Sequence, residues 1–384
     1  MMKLFAKILA YIAGISLAII AFAYIFHADY ILKAIRVTYF TGHTTAYLSD
    51  YKYFDNNTVA TSNPQPWAEY TKKAQLPDSI MQFHGRERSV AYVIIHRDSV
   101  VLEHYFDGYG RHSKSNSFSM AKSVVSAILG KAVESGKIKG LDQKIVDFVP
   151  EIAGKYAADV TFRDLVSMSS GMKWEEDYYS PFSVVTQLYF DKSIEAMLDK
   201  LPIAHKPGQQ FSYQSGDTQL LGIALQRATG SSLSQLLSEY FWKPMGAEQE
   251  ALWQVDSKEH GIEKAYCCLA SNALDFARFG KLYLQHGRWK GKQLLAEDYI
   301  SASLRPRFKN GENYGYGWWI GDFKGKPYFY MDGHLGQFVI VVPSDDLIIV
   351  RLGHQFDNKP KNKAGSSFYK FIDHAYRILE TKGT

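Results

Sequence analysis

Ser119 and Lys122 are the residues whose types and spacing most clearly could do chemistry, because they stand three positions apart at the start of a strongly apolar segment. Residues i and i+3 share one face of a helix, so the amine is expected beside the hydroxyl. A serine hydroxyl is a weak nucleophile near neutral pH and needs a base. A lysine among apolar groups has a lowered pKa because its charged form is poorly solvated. The pair therefore predicts a lysine-activated serine nucleophile, as acyl transfer requires.

The Ser-x-x-Lys pattern alone selects nothing, since matches begin at Ser49, Ser119, Ser170 and Ser367. A lone match is usually a capping serine with a solvated lysine. The Ser170 match contains a glycine and runs into a loop. The Ser49 match lies in an aromatic, polar segment, and the Ser367 match opens an ordinary amphipathic helix. After Ser119, apolar residues recur at three- and four-residue steps up to a stop at Gly136, and only Ser119 is followed in order by two further matching segments. We therefore select Ser119.

Two further segments follow in chain order. Residues 211–217, Phe-Ser-Tyr-Gln-Ser-Gly-Asp, precede an apolar helix pattern, and residues 333–337, Gly-His-Leu-Gly-Gln, enter an alternating apolar strand. Taken alone, a tyrosine such as Tyr213 is usually a core residue, and a histidine beside glycines usually belongs to a turn. The order of the three segments favours a shared site.

On these segments the chain resembles the serine β-lactamase and penicillin-recognising superfamily. Within it, the resemblance is to the branch of class C β-lactamases, D-aminopeptidases, lactamase-like esterases and 6-aminohexanoate-dimer hydrolases, over roughly residues 60–380. The resemblance implies that Ser119 is the nucleophile, Lys122 its partner and Tyr213 the tyrosine of the Y-x-N element. It also implies that residues 334–336 replace K-T-G, and that the backbone N–H groups of Ser119 and Gln337 hold the oxyanion.

Two departures from the family pattern bear on the substrate. Ser215 stands where lactamases usually carry asparagine, so an amide that would recognise a β-lactam side chain is missing. His334 replaces the lysine of K-T-G, and with the usual histidine pKa of about 6.5 it would be cationic only at lower pH. Both changes favour esterase or amidase activity, and Y-x-S is most similar to the aminohexanoate-dimer hydrolases.

Further substrate contacts are predicted at Ser215, His334, Gly336, Tyr178 and Trp318. Tyr178 falls where related hydrolases place a mobile loop facing the substrate, with surface packing as the alternative. Trp318 and its neighbour Trp319 should point to opposite sides of a strand, so at most one should reach the pocket.

The resemblance implies an α+β, β-lactamase/transpeptidase-like fold, with an antiparallel sheet built from both chain ends, flanked by helices, and an inserted mainly helical subdomain. The sequence agrees with this arrangement. Alternating apolar stretches predict hairpins around residues 97–99 and 343–346. A C-terminal amphipathic helix should bury Phe368, Phe371, Ile372, Ala375, Tyr376 and Leu379 on one face.

The N-terminus carries an uncharged apolar stretch from Ile8 to Phe26, long enough as a helix to cross a hydrocarbon core of about 30 Å. We predict a membrane anchor over 1–26, a tether over 27–75 and the hydrolase domain over 76–384. Lys3 and Lys7 favour a cytoplasmic N-terminus, although two basic residues after the stretch weaken the asymmetry. The expected location is a single pass through the inner membrane with the catalytic domain on the periplasmic side; a cleaved signal peptide is the alternative.

The sequence lacks the motifs of several other function classes. No G-x-S-x-G elbow points to an α/β-hydrolase, and no paired histidine spacing points to a metal. The formal charge is 44 − 39 = +5 without basic runs, so nucleic-acid binding has no support. Cys267 and Cys268 are adjacent. We expect two buried thiols there, with a vicinal disulfide as the alternative.

The sequence thus predicts a membrane-tethered serine hydrolase that forms an acyl-enzyme on an ester, amide or D-peptide substrate. It predicts no cofactor, no metal and no nucleic-acid partner; the partners are a small peptide-like, ester or amide molecule and the membrane. The alternative is a penicillin-binding or β-lactam-sensing protein, or a β-lactamase, that is acylated with little turnover.

Overall fold

The computed structural model describes residues 2–198, 200–308, 313–356 and 366–381. The α-helices are α1 Met2–Ile25, α2 Asp29–Val37, α3 Asp78–Arg86, α4 Ala121–Glu134, α5 Phe162–Val166, α6 Val184–Phe190, α7 Ile194–Leu198, α8 Ser215–Thr229, α9 Leu233–Leu237, α10 Ala273–Leu284, α11 Glu297–Ser303 and α12 Ser367–Glu380. The strands are β1 Asn56–Val59, β2 Ala68–Glu69, β3 Ser89–His96, β4 Ser99–Tyr105, β5 Ser115–Asn116, β6 Ala251–Gln254, β7 Leu269–Ser271, β8 Arg288–Trp289, β9 Lys292–Gln293, β10 Trp319–Phe323, β11 Lys326–Gly333, β12 Gln337–Val342 and β13 Leu347–Gly353.

A seven-stranded sheet occupies the centre of the domain, in the order β10-β11-β12-β13-β3-β4-β2. Its neighbouring strands are antiparallel, except that β2 runs parallel to β4. Strands β2 to β4 come from the N-terminal part of the chain and β10 to β13 from the C-terminal part. Helices α4 to α11 lie between these two groups in the sequence. This confirms the α+β class and both predicted hairpins.

Helices cover both faces of the sheet, which explains why every residue of β3 and β13 is buried. On one face, α3 and α12 pack their apolar residues against alternate positions of the strands. The predicted apolar face of α12 is confirmed, with Tyr376 only half-buried. On the other face, α4, α8 and α10 form the larger core. The active-site segments lie in this second layer.

The segment from residue 27 to 75 packs on the domain. Strand β1 pairs with β6, and β2 joins the edge of the main sheet at β4. Asp50 is completely buried, where its carboxylate accepts hydrogen bonds from Tyr189 Oη at 2.6 Å, Asn116 Nδ2 at 3.1 Å and Gln254 Nε2 at 3.2 Å. A buried carboxylate needs such partners, so this contact fixes the segment beside the strand that leads to Ser119.

Helix α1 is long and apolar enough to cross a membrane, and nearly all of it is exposed. Its length extends the predicted apolar stretch toward the N-terminus, because Leu4 and Phe5 continue the apolar surface. A signal sequence passes the same test of length and composition.

The prediction of two free thiols at Cys267 and Cys268 is wrong in this structure, where the two residues form a vicinal disulfide. The physical reason is local backbone conformation. Cys268 adopts a left-handed φ of 73°, which allows the two neighbouring side chains to meet.

Candidate active site

Ser119 lies on a short 3₁₀ turn, Phe118–Met120, that joins β5 to α4. Phe118 has a left-handed φ of 45°, unusual for a bulky residue, and its N–H donates to Asn116 Oδ1 at 3.0 Å. A Cβ at Gly333 would collide with the carbonyl oxygen of Ser117, so this glycine lets β11 approach the turn closely. Strand β11 and helix α4 therefore hold the hydroxyl of Ser119 from two sides.

Lys122 is buried one helical turn after Ser119. Its Nζ lies 3.0 Å from Ser119 Oγ, 3.2 Å from Ser215 Oγ and 3.0 Å from the carbonyl oxygen of Tyr266. Burial lowers the pKa of Lys122 to about 8, although the charges of Glu176 and Asp332 partly oppose that change. A substantial fraction of the amine is therefore neutral near neutral pH and can accept a proton.

Tyr213 lies on the other side of the nucleophile, and its hydroxyl interacts with Ser119. Its ring centroid is 5.0 Å from Lys122 Nζ. Desolvation, followed by the neighbouring Tyr178, raises the pKa of Tyr213 well above 10. The phenol therefore stays protonated at neutral pH, which suits a proton donor better than a base.

Glu176 completes the cluster, and sequence reasoning missed it as a site residue. Its Oε1 accepts hydrogen bonds from Ser215 Oγ at 2.6 Å and Tyr178 Oη at 2.7 Å. Its Oε2 accepts from Trp174 Nε1 at 2.6 Å and from the backbone N–H of Ser215 at 2.7 Å, at the first turn of α8. The helix N-terminus favours a negative charge there. No motif marks this loop glutamate; only its place in a Trp-Glu-Glu-Asp-Tyr run could have drawn attention.

The hydrogen bonds of Glu176 decide which way Lys122 points its lone pair. A neutral amine has two N–H donors and one lone pair. The carbonyl of Tyr266 can only accept, and Ser215 directs its own proton to Glu176, so both must accept from Lys122. The remaining direction, toward Ser119 Oγ, is left for the lone pair. The geometry is the one that the predicted role of Lys122 as a base for Ser119 requires.

His334 is enclosed by aromatic rings. Its ring centroid is 5.2 Å from that of Tyr178 in a stacked arrangement and 5.5 Å from that of Phe118. Burial lowers the pKa of His334 to about 4, so the expectation of a value near 6.5 is wrong. The imidazole is neutral between pH 5.5 and 8 and cannot supply a cation for a substrate carboxylate. Within the described residues its Nε2 has no hydrogen-bond partner, which leaves it available to a polar substrate atom.

The turn after His334 is held from behind by Arg351, which is buried and donates to the carbonyl oxygens of Leu335 at 2.9 Å and Gly336 at 2.8 Å. Gly336 has a φ of 81°, and a Cβ there would meet the guanidinium, so its role in this structure is to shape the turn. Gln337 Nε2 donates to the carbonyl oxygens of His334 at 2.9 Å and Gly353 at 2.7 Å. These contacts fix the start of β12, where the backbone N–H of Gln337 is the predicted oxyanion donor.

Trp318 does not reach the pocket, which corrects its prediction as a substrate contact. It is completely buried against Tyr283 and Phe329, with ring centroids 4.3 and 5.2 Å away. Trp319, on the opposite side of the chain, lies 5.6 Å from the ring of Tyr213. Alternation along the strand therefore correctly predicts that one tryptophan lies near the site, but that residue is Trp319 and not Trp318.

A pocket opens above Ser119. The predicted residues Ser119, Tyr178, Ser215 and His334 line it. The structure thus brings these four together with Lys122 and Tyr213, whereas Gly336 and Trp318 stay outside the lining.

Comparison with known proteins agrees with this arrangement. The sequence model of the β-lactamase family matches residues 74–369, so the chain belongs to the β-lactamase family. A 6-aminohexanoate-dimer hydrolase of Paenarthrobacter ureafaciens is 24% identical over 56% of this chain, and the chain spans only 56% of that relative. These matches confirm the resemblance predicted from the motifs.

Two solved structures share the fold. A Bacillus anthracis protein named after the same hydrolase has a TM-score of 0.68 at 21% identity, covering 88% of this chain and 94% of its own. A penicillin-binding protein of Bacillus halodurans has a TM-score of 0.59 at 16% identity, covering 78% and 99%. The β-lactamase/transpeptidase-like fold is therefore established, and the substrate is not.

Proposed function

We propose that this protein hydrolyses a carboxylic ester or amide through an acyl-enzyme on Ser119. The observation that carries the proposal is the set of three contacts around Lys122 Nζ, which leaves its lone pair for Ser119 Oγ. Lys122 takes the Ser119 proton as Oγ attacks the substrate carbonyl. The protonated Lys122 and the neutral Tyr213 then return a proton to the leaving group. Water then attacks the acyl-enzyme while the same residues move protons in the opposite direction, and the carboxylic acid is released.

The oxyanion formed in each half-reaction would be held by the backbone N–H groups of Ser119 and Gln337. Ser119 directly follows Phe118, and Gln337 follows Leu335 and Gly336; all three preceding residues have left-handed backbone conformations. Such conformations concentrate at functional sites because they aim particular groups at the substrate. Ser215, Tyr178 and His334 would contact the substrate around the nucleophile.

Ser119 is expected to be the residue that a fluorophosphonate probe modifies, because its hydroxyl lies beside Lys122, whose pKa burial lowers, whereas the hydroxyl of Ser215 donates its proton to Glu176. Mass mapping of the labelled protein checks this, with Ser119→Ala as the control. Under steady-state conditions, p-nitrophenyl butyrate should be turned over many times. An adduct on another serine would overturn the assignment, and release of a single equivalent of product would favour a sensor that is acylated without turnover.

We also propose that α1 anchors the enzyme in the inner membrane, with residues 27–384 on the periplasmic side. Lys3 and Lys7 lie in the N-terminal part of α1, before its uncharged apolar stretch, and basic residues are retained on the cytoplasmic side. The packing of residues 27–75 on the domain agrees with a short connection between anchor and enzyme.

A C-terminal alkaline phosphatase fusion is expected to be active, and a fusion to a fluorescent protein that folds only in the cytoplasm should be dark. The physical reason is the charge asymmetry across α1. Phosphatase activity and fluorescence in cells measure the two outcomes, and a fusion lacking residues 2–25 is the control. A bright fluorescent fusion with an inactive phosphatase would reverse the orientation.

A further inference from the structure

The path of the chain places the pocket close to the end of α1. Helix α2 begins four residues after α1 ends, and at about 1.5 Å per residue its nine residues span about 14 Å. The pocket wall begins on α2 itself, with Ala34, and continues with Thr38 and Tyr39 directly after it. One wall of the pocket is therefore the first structure that follows the apolar helix.

A second, adjoining wall is formed by α6, which packs against α2 and contributes Val185 and Phe190. This wall also contacts the end of α1. Lys192, just after α6, pairs with Asp29 at 3.0 Å, and its Nζ lies 5.7 Å from the ring centroid of Tyr24 in α1. Both walls of the pocket therefore lie close to the C-terminal end of α1.

The rim between these walls exposes aromatic side chains. Phe40, after α2, is 82% exposed, and Phe182, before α6, is 77% exposed. Tyr39 and Tyr179 both line the pocket and are also exposed. Phe40 and Phe182 each directly follow a residue that lines the pocket, Tyr39 and Pro181. Exposed aromatic side chains beside a pocket are unfavourable in water, whereas they are stable at the boundary between lipid and water. We refer to Tyr39, Phe40, Tyr179 and Phe182 as the aromatic rim.

The pocket behind the rim is uncharged. Among its described lining residues none is aspartate, glutamate, lysine or arginine, and His334 is neutral because burial lowers its pKa to about 4. The lining instead consists of aromatic, aliphatic and threonine side chains. Such a pocket suits a neutral aliphatic group and offers no counter-ion to a charged acyl group.

From these observations we infer that the aromatic rim lies on the membrane surface and that the enzyme takes its substrate from the bilayer. The substrate is an ester or amide of a long aliphatic acyl chain, with the chain along the pocket wall that α2 and α6 form and its carbonyl at Ser119. This inference rests on the proposed hydrolase function. Ser119 Oγ forms the acyl bond as the alcohol or amine departs with a proton, and water then releases the fatty acid.

The test uses the full chain in phosphatidylcholine vesicles, with p-nitrophenyl butyrate and p-nitrophenyl palmitate as substrates. The palmitate is expected to give the higher kcat/KM, by about tenfold or more, because it is already concentrated at the rim. A double variant with both rim phenylalanines replaced, Phe40→Ser and Phe182→Ser, should lower the palmitate-to-butyrate ratio of kcat/KM by about fivefold or more. The matched control is Met81→Ser, an exposed apolar residue on α3 across the sheet, which should leave the ratio unchanged.

The possible failures are distinguishable. Butyrate hydrolysis that depends on Ser119, combined with no preference for palmitate or a ratio that the rim variant does not change, would overturn the inference and leave the hydrolase function standing. Loss of fluorophosphonate labelling in the double variant would indicate misfolding, and Phe182→Ser alone then carries the test. Hydrolysis of neither ester by the wild type would contradict the hydrolase function and the inference with it.

Discussion

Replacement of Ser119 by alanine is expected to lower kcat/KM for any ester that the enzyme turns over by about 10³-fold or more, because the covalent route is lost. Lys122→Met should cost a similar amount, since no other described group is positioned to take the Ser119 proton at neutral pH. The two residues act on one proton transfer, so the double variant should be no slower than either single variant by more than a few-fold. Steady-state kinetics on p-nitrophenyl butyrate measure all three.

The same experiment carries a pH signature. Lys122 must be neutral to act as base, and burial places its pKa at about 8, so wild-type kcat/KM should rise as pH increases through about 8 and then level off. Lys131→Met is the matched control, because Lys131 lies on the same helix but pairs with Glu134 at the surface. Multiplicative losses in the double variant, or activity that is flat between pH 6 and 9, would show that Lys122 is not the base.

The sequence was most informative where chemistry and periodicity coincide. Ser119 could be chosen among four similar matches because an apolar helix pattern and two further matching segments follow it in order, and the structure buries most of that helix. The two hairpins followed from pairs of apolar stretches on either side of a short polar turn, and helices cover both faces of these strands. A glycine is required at position 333 because β11 approaches the backbone carbonyl of Ser117, just before Ser119, too closely for a side chain.

Other features depend on contacts between distant segments that one sequence does not reveal. The pKa of His334 fell because Phe118 and Tyr178, far apart in the chain, close around it. Asp50 enters the core through a polar cluster that no local pattern indicates. Trp318 and Trp319 were correctly expected on opposite sides, but alternation alone does not say which side faces the site. Such features are set by tertiary packing.

Glu176→Gln is expected to reduce kcat/KM by about 10- to 100-fold, although Glu176 touches neither the Ser119 hydroxyl nor the reacting carbonyl. The carboxylate accepts four hydrogen bonds, and a glutamine can accept only at its oxygen. Its amide group would then donate toward Ser215, whose hydroxyl proton would turn to Lys122 and occupy the lone pair meant for Ser119. The loss should appear in the plateau of the pH profile. Glu175→Gln, at the exposed neighbouring position, is the matched control.

The pH profile of the Glu176→Gln variant distinguishes a loss of Lys122 orientation from a general loosening of the fold. Glu176 raises the pKa of Lys122, so removing its charge should move the midpoint of the profile below about 8, in the direction that leaves more neutral amine at pH 7. The variant should therefore be slower even though more of its lysine is deprotonated, because the lone pair no longer points at Ser119. A lower plateau with an unmoved midpoint would mean that Glu176 only supports the loop, and an unchanged plateau would mean that Lys122 is oriented without it.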